Sequence, residues 1–284
     1  VANAYKAIFN TVGTPGVSPA TALVLLQAQQ KLNESAAGMA PRYATVNPAA
    51  NAGLVNGLSG FFNPTDTISK QFKNGMMGTG VLGFDEINMS QSIKVHTTGS
   101  RAGTILVNGA VSTQGQSTIS IDGLTGATDT VTVGDVFTIA NVFAVNPQTR
   151  ESTGSLQQFV VTAAQTGVSN ALANMAISPP IYTSTSALAT VDSFPADNAA
   201  VTFVGTASTA YPQNMIYHKD AITFATADLV LPTGVDMAAR AVHNGISLRI
   251  IRDYDINNDR MPCRIDVLYG FSTIRPQMAC RLWG

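Results

Sequence analysis

The middle of this sequence carries far less charge than its two ends, and that contrast most constrains what the chain can fold into. Between His96 and Pro212 the charged residues are Arg101, Asp122, Asp129, Asp135, Arg150, Glu151, Asp192 and Asp197, out of 16 Lys and Arg and 17 Asp and Glu in all. The block is rich in Thr, Ser, Gly and Val, and dense charge returns after Pro212. A composition that shifts and then reverts marks an inserted domain whose two ends leave one exposed loop of a host. The boundaries read as host 1–95, insert 96–212 and host again 213–284.

At 284 residues the chain is long enough for two domains with separate cores. Apolar residues at 45% indicate a folded chain, while 12% charged is about half the usual quarter. So few charges mean an unusual surface or one hidden against partners. The net charge of −1, spread as +2, −4 and +1 over the three segments, offers no attraction to nucleic acid or an anionic membrane. No stretch approaches the roughly 20 apolar residues of a membrane span. Cys263 and Cys280 form no framework; they read as two reduced core thiols, although an even number also permits one bridge.

The first segment mixes helix and strand. Val1–Val12 has helical character without an N-cap. Ser18-Pro19 is a start signal for a helix with Leu25, Ala28 and Leu32 along one face. Arg42–Val46 reads as a strand, Ala49–Phe62 as a helix weakened by Gly53, Gly57 and Gly60, and Asp66–Lys73 as a short helix. Gly75–Gly83 reads as a glycine-rich turn region, followed by an extended Phe84–Ser90 and a strand at Ser92–His96.

The middle segment reads as all β. Short β-branched runs at Thr104–Val107, Ser117–Ile121, Thr130–Val133, Val136–Ile139 and Phe159–Thr162 alternate with turn signals at Asn108-Gly, Asp122-Gly, Gly134-Asp and Asn146–Gly154. Ile181–Thr183 and Ala200–Val204 follow, and strands at this spacing fit a small sandwich or barrel. Phe137, Ile139, Val142, Phe159 and Val161 are the expected core. After Pro212 come strands at Met215–Tyr217 and Ala221–Phe224, a hairpin of Ser247–Asp255 with Arg264–Phe271 around Ile256–Pro262, and a last strand at Gln277–Trp283.

The order of these pieces resembles the major capsid (coat) protein of tailed bacteriophages, in the subgroup carrying a telokin-like (immunoglobulin-like) insertion. The residues that carry the resemblance are Gly83-Phe84-Asp85 before the insert, Gly134–Val142 and Phe159–Thr162 inside it, Asn214–Ala221 after it, and the terminal Leu268–Gln277. The resemblance covers essentially this whole chain but only the C-terminal two-thirds of such a coat protein. It implies an α+β fold of the Hong Kong ninety-seven type, with axial and peripheral domains and an inserted all-β Ig-like domain. Val1–Val12 would then be the end of the spine helix, with the N-terminal arm and extended loop missing from this chain. The connection Asn108–Ser117 is short where family members can carry a long loop across a two-fold axis.

The same resemblance implies a structural subunit of an icosahedral head, assembled in the host cytoplasm and located in the virion, with no catalytic role and no cofactor. Its partners would be other copies of itself in pentamers and hexamers, scaffolding and portal proteins, and DNA as non-specific content, with no membrane. Arginines in the C-terminal strands alternate with acids, and Arg forms bidentate carboxylate pairs of fixed geometry. Arg249, Arg252, Asp253, Asp255, Asp259, Arg260 and Arg275 are therefore the candidate subunit-interface residues.

Rival chemistry has thinner support. Gly78-Thr-Gly80-Val-Leu-Gly83 matches G-x-G-x-x-G, but a dinucleotide site needs a strand before it and a helix after it. Asp253, Asp255, Asn257 and Asp259 have calcium-loop spacing, yet Asn258 and Arg264 replace the turn Gly and the bidentate Glu. His96, His218 and His243 are scattered, and His218 reads as a polar surface residue. The alternative from another class is an extracellular binding or adhesion module with the insert as its ligand-binding head.

Overall fold

The computed structural model describes residues 3–58, 75, 77–126 and 128–284. In chain order the first elements are β1 (Thr11–Val12), α1 (Ala22–Glu34), β2 (Arg42–Val46), α2 (Pro48–Leu58), β3 (Gly78–Val81), β4 (Phe84–Met89) and β5 (Val95–Thr97). The middle supplies β6 (Gly103–Val107), β7 (Gln116–Leu124), β8 (Thr130–Val131), β9 (Val136–Val145), β10 (Ser152–Val161), β11 (Gln165–Thr166), β12 (Leu172–Ile181) and β13 (Val201–Phe203). Then follow β14 (Ala210–His218), β15 (Ile222–Ala227), β16 (Met237–His243), β17 (Ile246–Arg252), β18 (Cys263–Asp266), β19 (Leu268–Thr273) and β20 (Ala279–Trp283). Ile222–Ile274 form one compact unit; the described residues up to Ala221 and Arg275–Gly284 form the other.

In the larger unit one sheet runs β1-β20-β14-β2-β4-β3, with β5 beside β14. Pairing is parallel for β1 with β20 and for β2 with β4, and antiparallel for β14 with its neighbours. Helix α1 buries Leu25, Ala28 and Leu32, the stripe its periodicity predicts, against Ala44, Val46, Ile216, Cys280 and Leu282. Helix α2 opens at Asn47, whose Oδ1 accepts the Ala50 N–H at 2.8 Å. Its glycines are explained by crowding. A Cβ on Gly53 would meet the Pro19 carbonyl oxygen at 2.8 Å, and one on Gly57 would overlap the Ala20 carbonyl. Beyond Leu58 the expected helix, Gly60 and the expected helix Asp66–Lys73 lie outside the described residues.

Two expectations for this unit are corrected. The described part of Val1–Val12, from Asn3 onward, is not the end of a spine helix. Among its described residues Ala4–Ala7 make one 3-10 turn, and Thr11–Val12 form a strand. Ile8, Phe9, Asn10 and Thr11 are buried in succession, which no helical face allows. Gln158 brackets Thr11 instead, accepting its N–H at 2.6 Å and donating to its carbonyl at 3.0 Å. Glycine-rich Gly78–Val81 is a strand rather than a turn. It pairs with β4 through Leu82 and Gly83, both at positive φ (51° and 76°), the geometry of a tight two-residue hairpin.

The middle strands form a six-stranded antiparallel sheet in the order β13-β9-β10-β12-β7-β6. Its ends meet: Leu106 bridges Ala200, and Val107 N–H donates to Ala199 O at 2.9 Å. The sheet therefore closes into a barrel rather than the Ig-like two-sheet sandwich, and closure removes both sheet edges. Asp122-Gly123, expected as a turn, lies inside β7. Gly123 has φ 77°, and a Cβ there would overlap the Thr104 carbonyl, so the glycine permits close backbone approach within the barrel wall. Phe137, Ile139, Val142, Phe159 and Val161 are all buried in a core built wholly from residues between Ile105 and Val201.

In the smaller unit β15 pairs with β19, and β16, β17 and β18 form a three-stranded antiparallel sheet. The hairpin around Ile256–Pro262 joins β17 to β18, while the Leu268–Phe271 part of the expected second strand lies in β19 and pairs with β15. Ser247 is the one buried residue from 222 to 274. Cys263, expected in a core, is exposed here, whereas Cys280 is buried in the larger unit, and both are free thiols.

Candidate subunit interface

The expected interface residues divide between the two units. Arg249 donates to Asp266 from Nε at 3.2 Å and Nη2 at 2.6 Å, and to the Val230 carbonyl from Nη1. Arg264 approaches the same carboxylate, and the bonds from Arg249 and Arg264 hold Asp266 below the usual carboxylate range. Arg252 pairs with Asp236 at 2.8 Å. At the hairpin tip Asp253 accepts the Tyr254 N–H, Asp255 accepts the Asn257 N–H and the Asn258 amide, and Asp259 accepts the Tyr254 hydroxyl at 2.7 Å. Asp255 and Arg260 meet as a backbone bridge. Arg275 belongs to the other unit, exposed, at the start of the 3-10 turn Pro276–Met278. Most of the side chains in the alternating array thus find partners within this chain.

A second constellation escaped the sequence reading. Asp135, in the turn before β9, accepts His96 Nε2 at 2.9 Å, Arg101 Nη1 at 3.0 Å, Thr132 N–H at 2.9 Å and Gly99 N–H at 3.1 Å. All three side chains are buried. Burial alone would raise the Asp135 pKa; the His96 bond, the Arg101 charge and the two backbone donors outweigh it and leave the carboxyl below its ordinary value. Close by, Arg281 of β20 donates to Ile8 O (2.8 Å), Gly134 O (2.7 Å) and Gln213 Oε1 (3.3 Å), and lies over the Tyr5 ring. Burial pushes this guanidinium down to about 9, still charged at neutral pH. The cluster ties β5, β20 and the first turn of the chain to the base of the barrel. Its sequence signal was charge itself, since Arg101 and Asp135 stand in a block with few charges.

The motif residues outside these clusters are structural. Asp85 of Gly83-Phe84-Asp85 accepts the Arg42 N–H at 2.6 Å, while the Arg42 guanidinium holds Asn33 Oδ1 in the last turn of α1 and Ala37 O and Gly38 O just past its end. His218, expected at the surface, is buried, and one ring nitrogen lies 3.3 Å from Ala40 O. The pattern Gly78–Gly83 sits in the β3–β4 hairpin, where no helix N-terminus follows to receive a pyrophosphate. Among the described residues no group of three or more His, Cys, Asp or Glu is arranged to hold a metal ion, and no helix is long and apolar enough to cross a membrane.

Among known families, the family model for P22 coat protein, gene protein 5, matches residues 25–284. No curated protein matches the sequence.

Proposed function

Because the chain belongs to the P22 coat protein family, we propose that it self-assembles into the icosahedral shell of a phage head. It is a structural phage coat protein of the virion capsid; the family match over residues 25–284 carries this reading. Each copy offers several modest contact surfaces, and a neighbour held by one contact raises the effective concentration for the next. The low charge of the chain limits repulsion between many packed copies. The coat-family match does not favour the adhesion-module alternative.

We read the larger unit as a capsid fold of the Hong Kong ninety-seven type into which the barrel is inserted. The private barrel core supports the insertion, and so does the path of the chain, which leaves the main sheet at β5 and returns at β14, the strand β5 pairs with. Scaffolding and portal proteins are the expected helpers of assembly in the host cytoplasm. Negative-stain microscopy of the expressed protein tests the reading. Shells or ring-shaped capsomers are expected; monomers at every concentration, with or without a scaffolding partner, would refute it.

A further inference from the structure

Register assigns every side chain of the β16–β17–β18 sheet to one of two faces. Arg240 faces Arg249, which faces Asp266, and Ile251 faces Arg264, so these residues share one side with Ser247. The centre of that charged side is covered. Ser247 is buried, Arg249 and Asp266 keep 17% and 13% of their side-chain exposure, and the segment leading into β16 lies against it, its Leu229 and Val230 carbonyls accepting from Arg240 and Arg249. The opposite side carries Met237, Ala239, Leu248, Ile250, Cys263 and Ile265, with Leu248 43% and Ile265 67% exposed. An amphipathic sheet normally buries its apolar face. Here the chain covers the middle of the charged face, with Val242 and Arg264 open at its edges, and leaves the apolar face bare.

The β15–β19 ribbon also leaves an apolar surface bare. Phe224 opposes Phe271 and stacks diagonally on Tyr269, and all three rings remain exposed. A small sheet without a packed layer is marginal in water, so both surfaces need cover.

We propose that the apolar face of β16–β18, together with the Phe224–Tyr269–Phe271 surface, is covered by a second copy of this chain, an inference that rests on the coat-subunit reading. The occupant follows from chemistry and size. The one charged side chain on the face, Arg252, is paired with Asp236 of its own chain, so a copy approaching it meets little uncompensated charge. At 3.4 Å per residue and 4.8 Å between strands the sheet presents roughly 300 Å² and the ribbon roughly 200 Å². Two copies each contributing that much bury about 1,000 Å², the lower bound for a specific interface. The sheet alone falls short, so both surfaces are needed.

Cys263 lies on this face and is exposed, whereas Cys280 is buried, so a maleimide probe reads the face directly. The full chain is examined by sedimentation over a dilution series with timed labelling. Association with rising concentration and at least tenfold slower Cys263 labelling in the associated fraction are expected. Leu248→Asp and, separately, Ile265→Asp should each abolish both effects while Cys280 stays unreactive, which reports an intact larger unit. Val242→Asp, exposed on the opposite face, should associate like the parent. Particles in which Cys263 labels at the free rate would overturn the inference and leave the coat reading standing, with the face open or held by another protein. Association unchanged in both Asp variants would overturn it equally. A chain that never associates would sink the inference and the shell-forming reading together.

Discussion

The Asp135 carboxylate meets His96 Nε2 at 2.9 Å with both side chains buried, joining the base of the barrel to strand β5 of the main sheet. Arg101 and two backbone N–H groups complete the carboxylate's shell. Removing one partner of a buried ion pair strands the other charge, which typically costs 3–5 kcal/mol. Asp135→Asn should therefore destabilise the larger unit by about that amount, read as a lower urea midpoint with unchanged slope.

The same carboxyl sets an acid limit. Its pKa in the folded chain lies below the unfolded value of about 3.9, so the unfolded state takes up the proton first as pH falls. The stabilisation is complete above about pH 4 and is lost as pH drops through the lowered folded value. Urea midpoints measured from pH 7 to pH 2.5 should fall more steeply below pH 4 in the parent than in Asp135→Asn. Parallel curves would remove Asp135 as the source.

Phe159 stacks on Phe137 at 5.6 Å in the barrel core and is fully buried. Phe159→Ala should cost about 3–5 kcal/mol, as for other buried aromatics. The segment 98–212 expressed alone should unfold in one cooperative transition and show the same loss. A disordered spectrum for that segment would defeat the inserted-domain reading.

Gly57 provides a case in which propensity and packing oppose each other. Ala is favoured over Gly in a helix interior by about 1 kcal/mol. A Cβ at this position would nevertheless overlap the Ala20 carbonyl, and overpacking typically costs 1–3 kcal/mol. Gly57→Ala should lower the thermal midpoint; a rise would mean that α2 moves off residues 19–20 at little cost.

Arg252 and Asp236 form a pair in which both side chains are more than 40% exposed. A double-mutant cycle on the dissociated chain should give a coupling of at most about 1 kcal/mol, falling with added salt.

Local pattern carried much of the architecture. The Leu25, Ala28 and Leu32 stripe, the strand Arg42–Val46 and the five core positions of the barrel were legible because burial imposes a period on each element. Leu172–Ile181 was missed because Asn174 at φ 51° and a register shift break its alternation, and Pro179-Pro180 mimics a loop. Met237–His243 was missed because its Ala-rich run has little strand propensity and takes its conformation from pairing with β17. Of the expected interface residues, Arg249 and Arg252 turned out to be engaged with their own chain.

By itself the sequence determined the charge-poor β segment, its core, the α+β character of what flanks it and the kinship with phage coat proteins. These depend on composition and on contacts between near neighbours. Tertiary structure alone decided that the β segment closes as a barrel, that Asn3–Val12 is no spine helix, and that His96, Arg101, Asp135 and Arg281 share one buried cluster. It alone revealed which face of β16–β18 is bare. Exposure and charge pairing between distant residues depend on which strands become neighbours, and no local pattern encodes that.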